Sequence, residues 1–192
     1  MKSTTSLKPS NSIVRMKKDF IKVYNDILDK DTCEFLALTL DTSKGKEFID
    51  IGPMKFTQVN LNGHHKNMVP LLISSVRQVV SLYKKDVEET NWFPKNTLAL
   101  EEFRVKCYTS NKGDHFDTHV DVGDHSSARR YLAFLFYLND DFEGGQTKFN
   151  NKHIQPKTGS VLVFPPTWQY PHSGLPPLTG KKYIMSTYLH YT

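Results

Sequence analysis

Hydrophobic and polar positions divide the chain into two regimes. In the segment NMVPLLISSVRQVVSLYKKDVEE, the residues Leu71, Leu72, Val76, Val79, Val80 and Tyr83 recur at three- and four-residue intervals, the apolar stripe of a 3.6-residue helix. The spacing predicts a long helix whose task is to cover an apolar surface. Upstream, FIKVY predicts a short strand, and CEFLALTL the apolar face of a helix capped by Asp29 or Asp31. Gly45, Gly52, Pro53 and Gly63 mark the segment between the two helices as loops. Beyond Leu98 the helical period ends, and short runs of Val, Tyr, Phe and Leu alternate with Gly, Asp, Asn and Pro turns. Six strands are predicted there: EFRVKCY, FDTHVDV, YLAFLFYLN, TKFN, GSVLVFP and KYIMSTYLHY. YLAFLFYLN and GSVLVFP are apolar on both faces, which suits strands buried between a barrel lumen and a covering layer of helices. The expected class is α+β, a barrel-like sandwich supported by helices from the N-terminal half.

Composition narrows this picture. A chain of 192 residues with 38% hydrophobic and 12% aromatic content fits one folded domain. Residues 1–14 are rich in Ser, Thr, Lys and Pro and predict a flexible lead. Residues 15–192 then form the single domain, with helical support over 15–97 and the strand core over 98–192. The net charge is +5, but lysines are scattered rather than clustered, so nucleic acid is permitted as a partner and not indicated. Cys33 and Cys107 lack metal or redox spacing and read as reduced, structural thiols. The first residues have no apolar signal region, and no window reaches the ~18 apolar residues of a membrane span, so the expected location is the cytoplasm.

Candidate chemistry lies in the second half. His119 and Asp121 are two residues apart and on a strand share a face, about 7 Å from each other along it, so one strand can offer an imidazole and a carboxylate to one ion. Such triplets are common, and His115, Asp117, Asp124 and His125 crowd this one. Alone, the pair reads as readily as a solvated strand edge. His172 follows GSVLVFP in a Pro- and Gly-marked turn, from which sheet closure can bring it opposite the pair. Two histidines and one carboxylate form a facial set suited to iron(II) with positions left open for reagents. A closed structural zinc site would want more Cys or His. Ten residues past His172, Lys182 opens a strand in which Lys182, Ile184 and Ser186 share one face and Tyr183, Met185 and Thr187 the other. A lone buried ammonium is unfavourable and calls for an anion, for which the distal carboxylate of 2-oxoglutarate is a natural partner. Unburied, Lys182 is a surface lysine like Lys181.

Together these residues resemble the iron(II)/2-oxoglutarate dioxygenase superfamily, and within it the prolyl 4-hydroxylase-like branch. CYTSNKGDHFDTHVD is similar to that family's tyrosine, glycine, aromatic and HxD segment, and FLFYLND with EGGQTKF to its central strand and Gly-Gly turn. GKKYIMSTYLHY is similar to the strand that carries its 2-oxoglutarate lysine. The resemblance runs from Glu101 to Tyr191, with a weaker echo from Phe20 to Leu40. It implies a double-stranded β-helix (jelly-roll) core, with His119, Asp121 and His172 as metal ligands and catalytic centre. Lys182 would grip the cosubstrate, and Tyr108 and Ser186 would contact it. The stretch from Tyr108 to His119 is slightly longer than in that family, and Phe136 stands where some members place a second tyrosine. Trp168 and Tyr170 are expected at the mouth, as lining or as packing aromatics. Arg129, Arg130, Lys148 and Lys157 are expected around the site, to meet an acidic substrate or as a solvated face.

The activity implied by the resemblance is O2-dependent hydroxylation of a prolyl residue in a peptide or protein, releasing succinate and CO2, with ascorbate in support. Asp121 argues for hydroxylation, since halogenating relatives lose this carboxylate. A free amino acid or other small-molecule substrate, nucleobase demethylation, a zinc hydrolase on the same three ligands and a non-catalytic jelly-roll binding module are the alternatives. No nucleotide-reading insert is recognisable. The oligomeric state is left open.

Overall fold

The structure of the chain, a computed structural model, describes residues 19–87, 93–94 and 99–192. The lead expected over residues 1–14 lies outside the described residues. Asp29 caps the first helix, α1 (Lys30–Thr42), by accepting the Thr32 N–H at 2.7 Å, which satisfies one of the orphan donors of the first turn. A short α2 (Leu61–His64) and the long α3 (Val69–Val87) follow. The apolar stripe of α3 buries Leu72, Val76, Val79 and Tyr83. Among the described residues no helix is long and apolar enough to cross a membrane.

Among the described residues, twelve strands form one curled antiparallel sheet. They are β1 (Lys22–Tyr24), β2 (Glu47–Asp50), β3 (Met54–Asn60), β4 (Ala99–Leu100), β5 (Arg104–Thr109), β6 (His115–His119), β7 (Arg130–Tyr137), β8 (Thr147–Phe149), β9 (Lys152–Ile154), β10 (Val161–Phe164), β11 (His172–Gly174) and β12 (Lys181–His190). Their spatial order is β1-β10-β7-β12-β5-β3-β6-β11-β8-β9, with β2 on β3 and β4 on β12. The segment marked by Gly45, Gly52, Pro53 and Gly63 is therefore not all loop: it holds the β2–β3 hairpin, and Gly52, at φ +62°, is part of its turn.

Strand alternation divides the core in two, because successive side chains leave opposite faces. Val105 and Cys107 of β5, Phe134 and Phe136 of β7, Val161 and Val163 of β10, and Tyr183, Met185 and Leu189 of β12 join Leu36, Leu40, Val76 and Tyr83 in a helix-covered core. The residues between them, Tyr108, Ala133, Tyr137, Leu162, Phe164 and Ile184, turn inward to a second cluster with Phe56 and Phe149. The doubly apolar strands are thus buried on both sides, as expected. Cys33 and Cys107 are buried and free, and burial pushes both thiols up, Cys33 to about 11, so they pack rather than react.

One glycine ties the helical layer to the sheet. Gly159 adopts φ +77°, accepts the N–H groups of Ile27 and Leu28, and has room for no side chain, since a Cβ there would meet the Leu28 carbonyl oxygen at 2.2 Å. Gly159→Ala adds left-handed strain to a backbone clash and is expected to lose about 2–3 kcal/mol of stability, seen as a melting point lower by roughly 5–10 °C. An unchanged melting point would mean that the Leu28 turn yields freely.

Candidate metal centre and lumen

His119 ends β6, and His172 opens β11, where the two are direct cross-strand partners. Asp121 lies past the end of β6, so the expected same-strand display of His119 and Asp121 is corrected. Its N–H and that of Val122 both donate to the Pro166 carbonyl at 3.1 Å, and this turn swings the carboxylate back between the histidines. His119 Nε2 lies 3.6 Å from Asp121 Oδ1 and His172 Nε2 lies 3.6 Å from Asp121 Oδ2. One ligand atom from each of the three residues falls within 4.8 Å of the others.

The surroundings prepare these atoms for a cation. His119 Nδ1 is 2.7 Å from the Asp117 carbonyl and His172 Nδ1 is 3.1 Å from the Tyr170 carbonyl. A carbonyl only accepts, so Nδ1 is a donor in both rings and Nε2 is the atom that faces inward. Burial pushes the His172 imidazole down, which keeps it neutral and able to ligate. Burial alone would push the Asp121 carboxyl up, but His119, His172 and the Tyr188 hydroxyl outweigh it and hold the group below the usual carboxylate range. The Tyr188 hydroxyl donates to Asp121 Oδ1 at 2.8 Å, while Oδ2 is buried with no hydrogen-bond partner. A buried, ionised oxygen without a donor is costly, and a cation between Oδ2 and the two Nε2 atoms would satisfy it. The donor set therefore fits a divalent metal with open positions.

Behind Asp121 runs a brace that the sequence reading missed. Arg130 forks onto Glu101 with bonds of 2.6 and 3.0 Å, donates to the Asp121 carbonyl at 2.8 Å and lies 4.2 Å above the Tyr188 ring. His190 meets the same Glu101 carboxylate at 2.6 Å. Arg130 is thereby committed to the fold of the site rather than free for a substrate. Tyr188 was legible in principle, being the next term of the alternation Lys182, Ile184, Ser186.

Lys182 opens the inward face of β12 opposite Tyr108. The lysine is 1% exposed, and among the described residues its ammonium has neither carboxylate nor hydrogen-bond partner, only the Tyr108 ring at 5.3 Å. Burial pushes it down to about 7. The Gly144–Gly145 turn closes over its stem: a Cβ on Gly145 would sit 2.6 Å from Phe142 Cε2 and 3.1 Å from Lys182 Cδ. Lys182, Tyr108, Ser186, Thr147 and the three candidate ligands line one inner cavity of about 50 Å³. It shares Lys106, Phe116, His119, Asp121, Ser186 and Tyr188 with an outer chamber of about 460 Å³ bounded by Ile49, Met54 and Phe56.

Two expectations are corrected. Phe136 faces the helices, not the lumen, and the hydroxyl on the inner face of β7 is that of Tyr137, 2.7 Å from Thr147 Oγ1. Trp168 is 76% exposed and lines neither cavity. Tyr170 packs against the inner cluster. Arg129, Lys148 and Lys157 are exposed.

Comparison with known proteins agrees with this geometry. Residues 103–190 match the family model of the 2OG-Fe(II) oxygenase superfamily. A protein of Acanthamoeba polyphaga mimivirus, named as a candidate prolyl 4-hydroxylase, is 33% identical over 102 residues, 44% of this chain and 42% of that protein. The chain thus spans less than half the length of this relative. The 2OG complex of a viral collagen prolyl hydroxylase from Paramecium bursaria Chlorella virus-1 superposes with a TM-score of 0.69 at 18% identity, covering 91% of this chain and 97% of that one. A prolyl hydroxylase from Trichoplax adhaerens, in complex with a hypoxia inducible factor peptide fragment, gives 0.71 at 18% identity over 88% and 83%. A Pseudomonas putida prolyl-4-hydroxylase gives 0.65 at 16% identity over 90% and 92%. These likenesses carry the fold, a double-stranded β-helix with supporting helices. Residues 103–190 thus carry a match to the 2OG-Fe(II) oxygenase superfamily, and the chain has the fold of the prolyl 4-hydroxylase-like structures.

Proposed function

We propose that this protein is an iron(II)- and 2-oxoglutarate-dependent dioxygenase that hydroxylates a prolyl residue of a peptide or protein. The observation that carries the proposal is the lumen: a metal-ligand set at one end of a cavity and an unpaired buried ammonium at the other. His119, Asp121 and His172 would hold iron(II), which when bound couples the decarboxylation of 2-oxoglutarate by O2 to oxidation of a substrate C–H, leaving succinate and CO2. Lys182 would bind the distal carboxylate of the cosubstrate, with Tyr108, Ser186 and Thr147 shaping the cavity around it. The inner cavity must widen to admit a five-carbon diacid. Phe116, stacked on the His119 ring with centroids 3.6 Å apart, covers one face of that imidazole, and both rings line the outer chamber, where the substrate would enter. Excluding water there protects the oxidation from side reactions. The matched relative and structural neighbours named as prolyl hydroxylases support the prolyl substrate.

The test is mass spectrometry of proline-containing peptides and of proteins from a cell extract after incubation with iron(II), 2-oxoglutarate, O2 and ascorbate as reductant. The expected result is a gain of one oxygen on proline with matching succinate. Oxygen on another residue, on a free amino acid alone, or no succinate at all would refute the proposal.

The Tyr188 hydroxyl has a positioning role in this reading. Tyr188→Phe removes the donor to Asp121 Oδ1 and frees the carboxylate to rotate. Affinity for iron(II), or for manganese(II) as an air-stable stand-in, is expected to fall about 10–100-fold. Metal affinity equal to wild type would show that the Arg130 brace alone orients Asp121.

A further inference from the structure

We propose that Lys106 forms a second anion subsite that holds a carboxylate of the substrate, so that the enzyme selects target residues with an acidic group beside them. The proposal rests on reading the outer chamber as the substrate site.

Lys106 is an inward residue of β5, level with Ile184 of β12 and two residues mouthward of Tyr108. Lys182 is level with Tyr108, so the two lysines stand at successive inward levels, about 7 Å apart along the strands. The ammonium of Lys106 leans away from β12. It lies 5.1 Å from the Phe56 ring and 5.9 Å from the Phe116 ring. Phe56 lines the outer chamber and not the inner cavity, and Phe116 lines both. The charge is thus delivered to the chamber from which a substrate reaches His119 and Asp121.

Among the described residues Lys106 is also the free cation of that chamber. Arg130 is bound to Glu101, and Arg104 reaches Glu102 at 2.8 Å and Glu101 at 3.9 Å. Lys106 has no hydrogen bond or ion pair among the described residues. Its strongest attraction is to the Asp121 carboxylate, with a weaker one to Glu101 that Arg104 and Arg130 oppose, and a metal bound by Asp121 neutralises the first. Two aromatic faces offset only part of the cost of desolvating an ammonium. A single free positive charge, set among Phe56, Phe116, Ile49 and Met54 with the Glu101 carboxylate in the same wall, suits one carboxylate better than a dianion. That carboxylate can be the side chain of a neighbouring acidic residue or a terminal carboxyl next to the target.

The experiment uses manganese(II)-loaded protein with 2-oxoglutarate and three matched probe pairs, each measured by calorimetry. They are acetyl-Glu-Pro-Gly-amide against its Gln twin, acetyl-Gly-Pro-Glu-amide against its Gln twin, and acetyl-Gly-Gly-Pro as free acid against amide. At least one acid is expected to bind tenfold or more tightly than its twin, and which pair does so separates side-chain from terminal carboxylates. Lys106→Met should bring that ratio to within twofold of one, Lys106→Arg should keep it, and the 2-oxoglutarate Kd should stay within twofold of wild type in both. Equal binding within every pair, no binding of any acid, or a preference that survives Lys106→Met overturns the proposal. So does a tenfold loss of 2-oxoglutarate affinity in Lys106→Met, which would assign the lysine to the cosubstrate. Selective binding without prolyl oxygenation by iron-loaded protein would leave this subsite standing and remove the function proposed above.

Discussion

His172→Ala is expected to remove iron binding while leaving the fold in place. In four-ligand structural zinc sites roughly 10–16 kcal/mol of binding free energy is shared among the ligands, or about 3 kcal/mol each, so losing one of three ligands should weaken iron(II) at least about a hundredfold. Three features make His172 the most exposed of the three to this test. It is buried, it is held neutral by that burial, and its Nδ1 is tied to the Tyr170 carbonyl so that Nε2 faces Asp121 Oδ2. Removing it leaves Oδ2 with neither donor nor complete cation site. The variant should still melt cooperatively, because β11 is held by main-chain pairing to β6 and β8. Metal content after dialysis, measured beside a melting curve, decides the matter. Wild-type metal content in a folded variant would eliminate the proposed site.

The sequence is most transparent where periodicity and burial coincide. The helix over 69–87 and the doubly apolar β7 and β10 follow directly from apolar spacing, since only strands covered on both sides can carry hydrophobics at every position. The site was legible as residue types at spacings: His119, Asp121, His172 and Lys182 all face one lumen. What stayed hidden depends on register or on turn geometry. Phe136 and Tyr137 are adjacent, and a shift of one position exchanges helix layer for lumen, which alternation within a doubly apolar strand cannot reveal. The β2–β3 hairpin is hidden because Gly52 and Pro53 are prominent, and they mark its turn rather than its absence. Lys106 and the Glu101–Arg130–Tyr188 brace bring together residues from β5, β7 and β12 and the segment before β5. Nothing local to any of those segments signals a contact with Asp121.

Lys182→Ala is expected to raise the 2-oxoglutarate requirement steeply, and the pH dependence of the wild type shows why. Truncating one member of a buried charge pair costs about 2–5 kcal/mol, a rise in Kd of roughly 30-fold to several-thousand-fold. In the unliganded protein burial lowers Lys182 to about 7, whereas a bound carboxylate favours the protonated amine and raises it again. Binding above pH 7 therefore takes up a proton: affinity is full below about pH 7 and falls as pH rises, approaching tenfold per unit. Lys182→Arg, which stays charged, should lose this slope. Folding shows the complementary sign. The unfolded lysine keeps its proton up to its ordinary value while the folded one sheds it near 7, so this group makes the unliganded protein more stable as pH rises through that interval. Lys182→Met should flatten that rise and should be more stable than wild type at or below pH 7, where the wild type buries an unpaired ammonium. A folded variant that is more stable without cosubstrate and binds it far more weakly identifies a residue placed for its ligand. Equal 2-oxoglutarate affinity in Lys182→Ala would show instead that the lysine is a passive part of the wall.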